Sequence, residues 1–416
     1  MQGGEVLKKI FKKLTASAVT IGILVSAVLG TADYFTPDSY TVVEGTSPTW
    51  GSGAFSLSKN EPVQASASTG ETYPKTYSAQ LMLYNAIPLK TVKVSVVDST
   101  SVILCGMPFG IKMFTNGVVV VGMADVKTTV GTLNPASEAG LKTGDILLSI
   151  NGTAVNSNLE VEKAVESSGG QPLKFTINRD GQKFSATIRP IRSESDEQYK
   201  IGLWVRDSTA GIGTLTFYNP TGNCFAGLGH GICDADTGKL MPLLSGDIVP
   251  VTISGVTKGV KGTPGELRGY FTDDTAEGSL SANVETGVYG SMKAPVQGET
   301  VKIAMKQDVK TGPARVYATI DGNKPQYFDI EIEKIDYRDG IESKNLVICV
   351  TDQKLLSQTG GIVQGMSGSP IIQNGKLVGA VTHVFINDPT HGYGIFAENM
   401  LVESRTVATQ QSRLAS

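Results

Sequence analysis

From Ile87 to Asp98 (IPLKTVKVSVVD) apolar residues alternate with polar ones, the period of two that marks a strand with one buried face. Met107–Phe114 (MPFGIKMF) and Gly117–Met123 (GVVVVGM) predict two more strands, the second apolar almost throughout. An amphipathic helix is predicted around Leu159–Glu166, and the downstream Asp180-Gly181 pair predicts a hairpin with a type I′ turn. Beyond about residue 193 short apolar runs are separated by glycine-bearing turns with barely a helical stretch, which predicts a barrel or sandwich. Residues 33–86 are rich in Ser, Thr, Gly and Pro and show no sustained period up to about residue 80, so they predict a flexible spacer. Residues 404–416 are polar and predict a loose tail. The expectation is a mainly β chain divided into 1–32, the spacer 33–86, a compact unit 87–192, a larger β domain 193–403 and the tail.

Charge refines this picture at the N-terminus. Lys8, Lys9, Lys12 and Lys13 precede an uncharged apolar stretch from Leu14 to Gly30, the order of an export signal, with small residues for cleavage after Ala32. The stretch also reaches the lower length limit of a membrane span, so an uncleaved anchor is the other reading. Either way the lysines place the rest of the chain outside the cytoplasm, secreted or membrane-associated. The formal net charge of −3 supplies no basic field and argues against nucleic acid as a partner. The four cysteines, Cys105, Cys224, Cys233 and Cys349, contain no C-x-x-C pair. Zinc-knuckle and thioredoxin readings therefore have little support, and free thiols are at least as well supported as a Cys224–Cys233 bridge.

The sharpest chemical signal is Gly360–Val381, GGIVQGMSGSPIIQNGKLVGAV, where an apolar run is interrupted by Gly-Met-Ser-Gly-Ser-Pro and then resumes. Small residues there serve either a tight turn or a nucleophile loop that presents Ser367 on a sharp bend with converging N–H groups. A serine hydroxyl is a weak nucleophile at neutral pH, so the second reading needs a base within reach. The chain has three histidines, His230, His383 and His391. His230 lies between Gly229 and Gly231 in NCFAGLGHGICDADTG, which leaves its imidazole uncrowded and lets the backbone bend. A structural turn histidine is the bland reading of that motif; a serine loop downstream favours the base.

Three resemblances carry this further. SEAGLKTGDILLSING (Ser137–Gly152) resembles the most recognisable stretch of PDZ domains, and PFGI sits where that family has its carboxylate-binding loop. The resemblance implies that Phe109, Gly110 and Ile111 capture a peptide carboxylate while the peptide adds as a strand beside Ile111–Phe114. The serine loop resembles the chymotrypsin-like Gly-x-Ser-Gly-x-Pro, with Ser369 where glycine is usual. It implies an oxyanion hole from the N–H groups of Gly365 and Ser367, and a substrate-pairing segment at Thr382, His383 and Val384 in a double β-barrel. GIGTLTFYNP (Gly211–Pro220), GLGHGICDADTG, Thr359–Thr390 and GYG (Gly392–Gly394) together resemble the stage IV sporulation protein B family. That family implies an exported serine endopeptidase that processes itself and cleaves a membrane-bound regulator of an intramembrane metalloprotease, leading to late sigma-factor activation. It implies export from the forespore into the space between two membranes; the PDZ groove is expected to take substrate, a partner or this chain's own segment, and no cofactor is expected.

The acid that orients His230 has two candidate positions. The family resemblance points to Asp352 in VICVTDQKLL, whereas chymotrypsin-like topology favours Asp273 or Asp274, with Asp234 and Asp236 too near His230 in sequence. Asp352 is placed first; its structural alternative is a turn-capping aspartate. Two other function classes stand beside the peptidase. One is a non-enzymatic PDZ adaptor on a degenerate protease scaffold; the other is a metal site built from the three histidines, which lacks any H-E-x-x-H or helical ligand pair. No metal site is expected.

Overall fold

The strand Pro108–Met123 serves two domains at once. Its first half, from Pro108 to Thr115, pairs with Ser208–Thr214 on one side and Leu243–Pro250 on the other. Its second half pairs with Ile146–Leu147 and with Leu203–Arg206. The two strands predicted on either side of Asn116 are thus one, and it carries the chain out of a barrel into a PDZ-like unit. Leu203–Asn219 carries it back. The computed structural model describes residues 20, 30, 36–46, 49–50, 53–58, 75–273 and 275–415.

The inserted unit packs Val118, Val120, Leu147, Phe175 and Ile177 from its sheet against Val161 and Val165 of the helix Asn158–Ser167. That helix starts where the sequence predicts one because Ser157 and Glu160 form a reciprocal capping box. Leu173–Arg179 and Gln182–Ile188 meet across Asp180 and Gly181, both at positive φ as a type I′ turn requires.

Around this insertion the chain closes a first six-stranded antiparallel barrel. Its order is Pro108–Met123, Leu203–Asn219, Cys224–Gly227, Gly287–Met292, Gly278–Val284 and Leu243–Thr257, which returns to the first strand. Phe109, Ile111, Met113, Leu215, Phe225, Ile248 and Val288 fill it. A second barrel runs Gly312–Ala318, Gln326–Ile335, Leu346–Val350, Asp388–Phe396, Lys376–Phe385 and Pro370–Gln373, closing again on the first. Val316, Phe328, Ile330, Ile348, Ile371 and Val378 fill this one. Alternation along Gln326–Ile335, with Phe328, Ile330 and Ile332 inward and Asp329, Glu331 and Glu333 exposed, is what a one-sided wall demands.

Three sequence expectations are corrected. Part of the proposed spacer is a five-stranded sheet with its own core of Tyr40, Val42, Ala79, Leu81, Val92 and Val94. Its strand Ser39–Val43 lies parallel to Ile87–Val97, a pairing distant in sequence and invisible to a local period. The proposed tail belongs to the helix Ala397–Ala415, which buries Ala397, Met400, Leu401, Ser404 and Val407 at helical spacing. Small and polar residues on that stripe disguise it as a polar segment. Finally, the PDZ-like unit is nested inside the first barrel instead of preceding it, so neither residue 87 nor residue 193 is a boundary between domains in series. The N-terminal lysines, and all of Leu14–Ala32 except Thr20 and Gly30, lie outside the described residues, and among the described residues no helix is long and apolar enough to cross a membrane.

Candidate active site

The Ser367 loop connects the helix Gln353–Thr359 to the strand Pro370–Gln373, and two glycines set its shape. Gly365 (φ +93°) and Gly368 (φ +94°) both adopt the left-handed conformation. A Cβ on Gly368 would run into Thr214 O and Leu228 N, so glycine is required by space as well as by torsion. The first barrel then clamps the loop. Thr214 N donates to Ser367 O (3.0 Å), Thr214 Oγ1 to Gly365 O (2.8 Å) and Thr216 Oγ1 to Gly368 O (2.7 Å). Carbonyls on this bend are thereby held outward. The N–H groups of Gly365 and Ser367 donate to no other group among the described residues, which is the property an oxyanion hole needs.

His230 arrives from the first barrel. After the strand Cys224–Gly227 the chain turns through Leu228 (φ 64°) and Gly229 (φ 69°), two successive left-handed residues, and sets His230 in the cleft that Ser367 lines. A β-branched or bulky residue at positive φ is costly, and Leu228 is held there by its N–H bond to Thr214 O (3.2 Å) and by burial. His230 Nδ1 lies 2.9 Å from Gly231 O. Burial holds its pKa below the ordinary value, opposed by that carbonyl, so the ring is neutral and fit to accept a proton.

The cleft, about 680 Å³, lies between the barrels and also takes in Thr382, His383 and Val384 of the strand Lys376–Phe385. Register slips between Val381 and His383, so Thr382 is an extra residue whose carbonyl accepts Ser367 Oγ at 2.7 Å. His383 packs against His230 with ring centroids 4.7 Å apart. Burial, with His230 and Lys344 adding to it, pushes the His383 pKa down to about 4. A neutral neighbour leaves room for charge to develop on His230; a second cation there would oppose it.

The structure brings Ser367, His230, Gly365 and the 382–384 segment together, but not the expected acid. Asp352 is the N-cap of the helix Gln353–Thr359: its Oδ1 accepts from Leu355 N (2.9 Å) and its Oδ2 from Asp329 N (3.3 Å). The capping alternative holds because the helix start leaves N–H groups that a carboxylate satisfies best. Asp273 accepts from Thr275 N (2.8 Å) in an exposed turn, and Asp274 lies outside the described residues. Asp234 and Asp236 are taken by Arg206. Among the described residues Glu285 is the only carboxylate that lines the cleft. It sits on the turn between Gly278–Val284 and Gly287–Met292, one residue from Val284, whose carbonyl a Cβ on Gly231 would touch. Asn283 fixes that turn to the His230 loop, accepting from Ile232 N (2.7 Å) and donating to Ile232 O (3.0 Å).

The PFGI assignment is also corrected. Phe109 and Ile111 are buried in the first barrel, and the backbone of this segment has partners on both edges. A Cβ on Gly110 would meet Phe271 and Val249, so its smallness serves packing and not a peptide. The open strand edge lies instead at Leu203–Arg206, which is paired on one side with the Val119–Met123 segment and faces the helix Asn158–Ser167 on the other. Gly202 (φ +83°) precedes it, and Trp204 is exposed. The apolar-Gly-apolar triplet Ile201-Gly202-Leu203 was the available signal. Thr214, Thr216 and Arg206 gave no local signal at all. All four cysteines are free.

Two family models match the chain. A family described as SpoIVB peptidase S55 matches residues 197–401, and a PDZ domain family matches 91–189. Among curated proteins the chain is 33% identical over 95 residues to a putative zinc metalloprotease of Bartonella henselae, covering 22% of this chain and 26% of that protein. It is 37% identical over 67 residues to the zinc metalloprotease RasP of Geobacillus kaustophilus, covering 15% and 16% respectively. It is 41% identical over 60 residues to the serine protease HTRA1 of Xenopus laevis, covering 14% and 13%. The chain thus spans about a quarter or less of these relatives' own length. Among solved structures, the active form of the Rv3671c protease of M. tuberculosis is similar at 14% identity and a TM-score of 0.29, over 48% of this chain and 74% of that one.

Proposed function

The chain belongs to the SpoIVB peptidase S55 family and is a serine peptidase carrying a PDZ domain, and from that premise we propose that Ser367 is its nucleophile and His230 its general base in a chymotrypsin-like double barrel. The observation that carries this reading is the glycine-built Ser367 loop, with the Gly365 and Ser367 N–H groups free of other acceptors among the described residues, lining one cleft with His230. Ser367 Oγ attacks the substrate carbonyl carbon while His230 takes its proton, and the oxyanion enters the Gly365 and Ser367 N–H groups. His230 then returns the proton to the leaving amine, and water releases the acyl group by the same route.

In the resting geometry Ser367 donates to Thr382 O. A peptide laid along the 382–384 edge brings its own N–H to that carbonyl and frees the hydroxyl for His230, which makes nucleophile activation depend on substrate. Glu285 is the carboxylate we assign to orient His230, replacing Gly231 O at Nδ1 when the cleft is filled. Apo hydrogen bonds at such sites are often unformed until substrate binds.

The PDZ edge at Leu203–Arg206 takes a peptide as an added strand, and it communicates with the site in two ways. It is continuous with Thr214 and Thr216, which clamp the serine loop. Arg206 also binds Asp234 and Asp236, in the loop after His230, and Lys239 of that loop binds Asp180 of the PDZ hairpin at 2.6 Å. Family membership supports the wider role: an exported, membrane-associated peptidase of the forespore that processes itself and cleaves a membrane-bound regulator of an intramembrane metalloprotease, activating a late sigma factor. Labelling by a serine-directed fluorophosphonate tests the catalytic core. Wild-type protein is expected to be trapped at Ser367, and labelling unchanged in both Ser367→Ala and His230→Ala overturns the assignment.

A further inference from the structure

His391 has no part in the catalytic reading, yet it is the most heavily partnered imidazole of the chain. On the outer face of the second barrel it stands directly opposite Cys349, and Cys349 stands opposite Glu331. Register slips between Ile332 and Lys334, so Glu333 is an extra residue in its strand and its carboxylate joins the same cluster. A ring nitrogen of His391, Cys349 Sγ and a Glu333 oxygen all lie within 4.8 Å of one another. His391 Nε2 is 3.4 Å from Glu333 Oε2, while Nδ1 is 2.8 Å from Asp388 Oδ2. Asp388 is itself fixed by Thr390, whose N–H (3.2 Å) and hydroxyl (2.6 Å) both donate to its other oxygen.

We propose that Glu333, Cys349 and His391 form a zinc site, with solvent as the fourth ligand. One thiolate, one imidazole and one carboxylate are the donor set that zinc takes, and the thiolate disfavours calcium and magnesium. An imidazole that ligates through one nitrogen is held in tautomer and direction by an acceptor on the other, the place Asp388 occupies. Binding displaces the Cys349 thiol proton and whatever proton Nε2 carries to solvent. The competing use of these groups is a plain ion pair, with a protonated His391 shared between two carboxylates.

The site has a route to the catalytic cleft. The turn between Lys376–Phe385 and Asp388–Phe396 carries Ile386, which lines the cleft, and the second of these strands carries Pro389, whose carbonyl accepts from Ile362 N at 2.7 Å. Ile362 leads into the Ser367 loop. A metal holding His391 against Cys349 and Glu333 therefore stiffens the strand that supports that loop.

Titration of the purified chain with cobalt(II) tests the site without reference to activity. One equivalent is expected to produce a thiolate-to-cobalt charge-transfer band and the visible bands of four-coordinate cobalt, both abolished by one equivalent of zinc. Cys349→Ala is expected to lose the charge-transfer band. Asp388→Asn leaves every ligand atom in place and is expected to weaken cobalt binding about 10–100-fold. The control is Cys233→Ala, which removes the exposed thiol beside the cleft and is expected to change nothing. No thiolate band in the wild-type chain, or a band lost with Cys233 and kept without Cys349, overturns the proposal.

Discussion

The two barrels contribute to the cleft in opposite manners. The second is built from one uninterrupted run of chain between Gly312 and Phe396, and its contribution, the Ser367 loop, is a local turn between neighbouring elements. The first is interrupted by the whole PDZ-like unit between two halves of a pair of long strands, and the loop after its His230 is tied to that unit by Arg206 and Lys239. The difference teaches that the bend carrying the proposed nucleophile is folded locally and then clamped by Thr214 and Thr216 of the first barrel, whereas the loop carrying the proposed base is tied directly to the inserted unit. Substitution of Ser367 itself should strike chemistry alone; substitutions at Arg206 or Lys239 should strike chemistry and regulation together.

The largest expected effect breaks the serine side. Ser367→Ala should lose on the order of 10⁶ in kcat with melting behaviour retained, since the hydroxyl makes one hydrogen bond and the loop is clamped through its backbone. Retained turnover by the folded variant would refute the assignment. Next comes Glu285→Gln, expected to lose roughly 10²–10⁴ in kcat with an altered acid limb of the pH–rate profile, whereas the aspartate variant recovers part of it. Near-normal turnover would show that Gly231 O alone orients the base.

A smaller effect addresses the tie between the barrel and its insertion. Arg206→Ala removes both carboxylate contacts to the loop after His230 and should slow fluorophosphonate labelling about tenfold, the rate equivalent of one such charged hydrogen bond. Unchanged labelling would detach the PDZ unit from the base. By contrast, a β-branched residue at Gly110 should unfold the first barrel and reduce every activity together, because Val249 and Phe271 fill the space it needs.

Acidity probes the cleft from its interior. His383 has an ordinary value of 6.5 and a folded value of about 4, so across that window the unfolded chain binds a proton that the folded chain refuses. Stability therefore falls as pH drops from 6.5 towards 4, and His383→Gln should flatten that slope in denaturant melts. The smallest effect is expected at Asp352→Asn. Asparagine caps a helix nearly as well, so stability should change by less than about 1 kcal/mol and turnover by less than about twofold. A collapse in rate there would return Asp352 to the catalytic set.

How much was legible depends on the range of each interaction. The helix at Asn158–Ser167 and the Asp180-Gly181 hairpin are written in capping and turn residues a few positions apart, and both form as read. The sheet formed by part of residues 36–97 was not legible, because its pairing of Ser39–Val43 with Lys93–Val97 joins distant segments through low-complexity sequence. PFGI and Asp352 take up contacts in the structure that their local sequence does not announce, for one reason. A strand or a cap serves any function its neighbours permit, and those neighbours, Val249 and Phe271 in one case and Asp329 with Leu355 in the other, come from folding.

The sequence by itself laid out the candidate chemistry: a serine between two glycines that can take left-handed torsions, a histidine between two more, and a PDZ-like stretch. Only the tertiary structure decided what surrounds that chemistry. It nested the PDZ unit inside the first barrel, turned Thr214 and Thr216 onto the serine loop, left Glu285 as the cleft's carboxylate among the described residues, and gathered Glu333, Cys349 and His391 from three strands. Torsional preference is a property of one residue and is written where it acts. Side-chain proximity between strands depends on register and barrel closure, which emerge from the summed burial of both cores and are carried by no single residue.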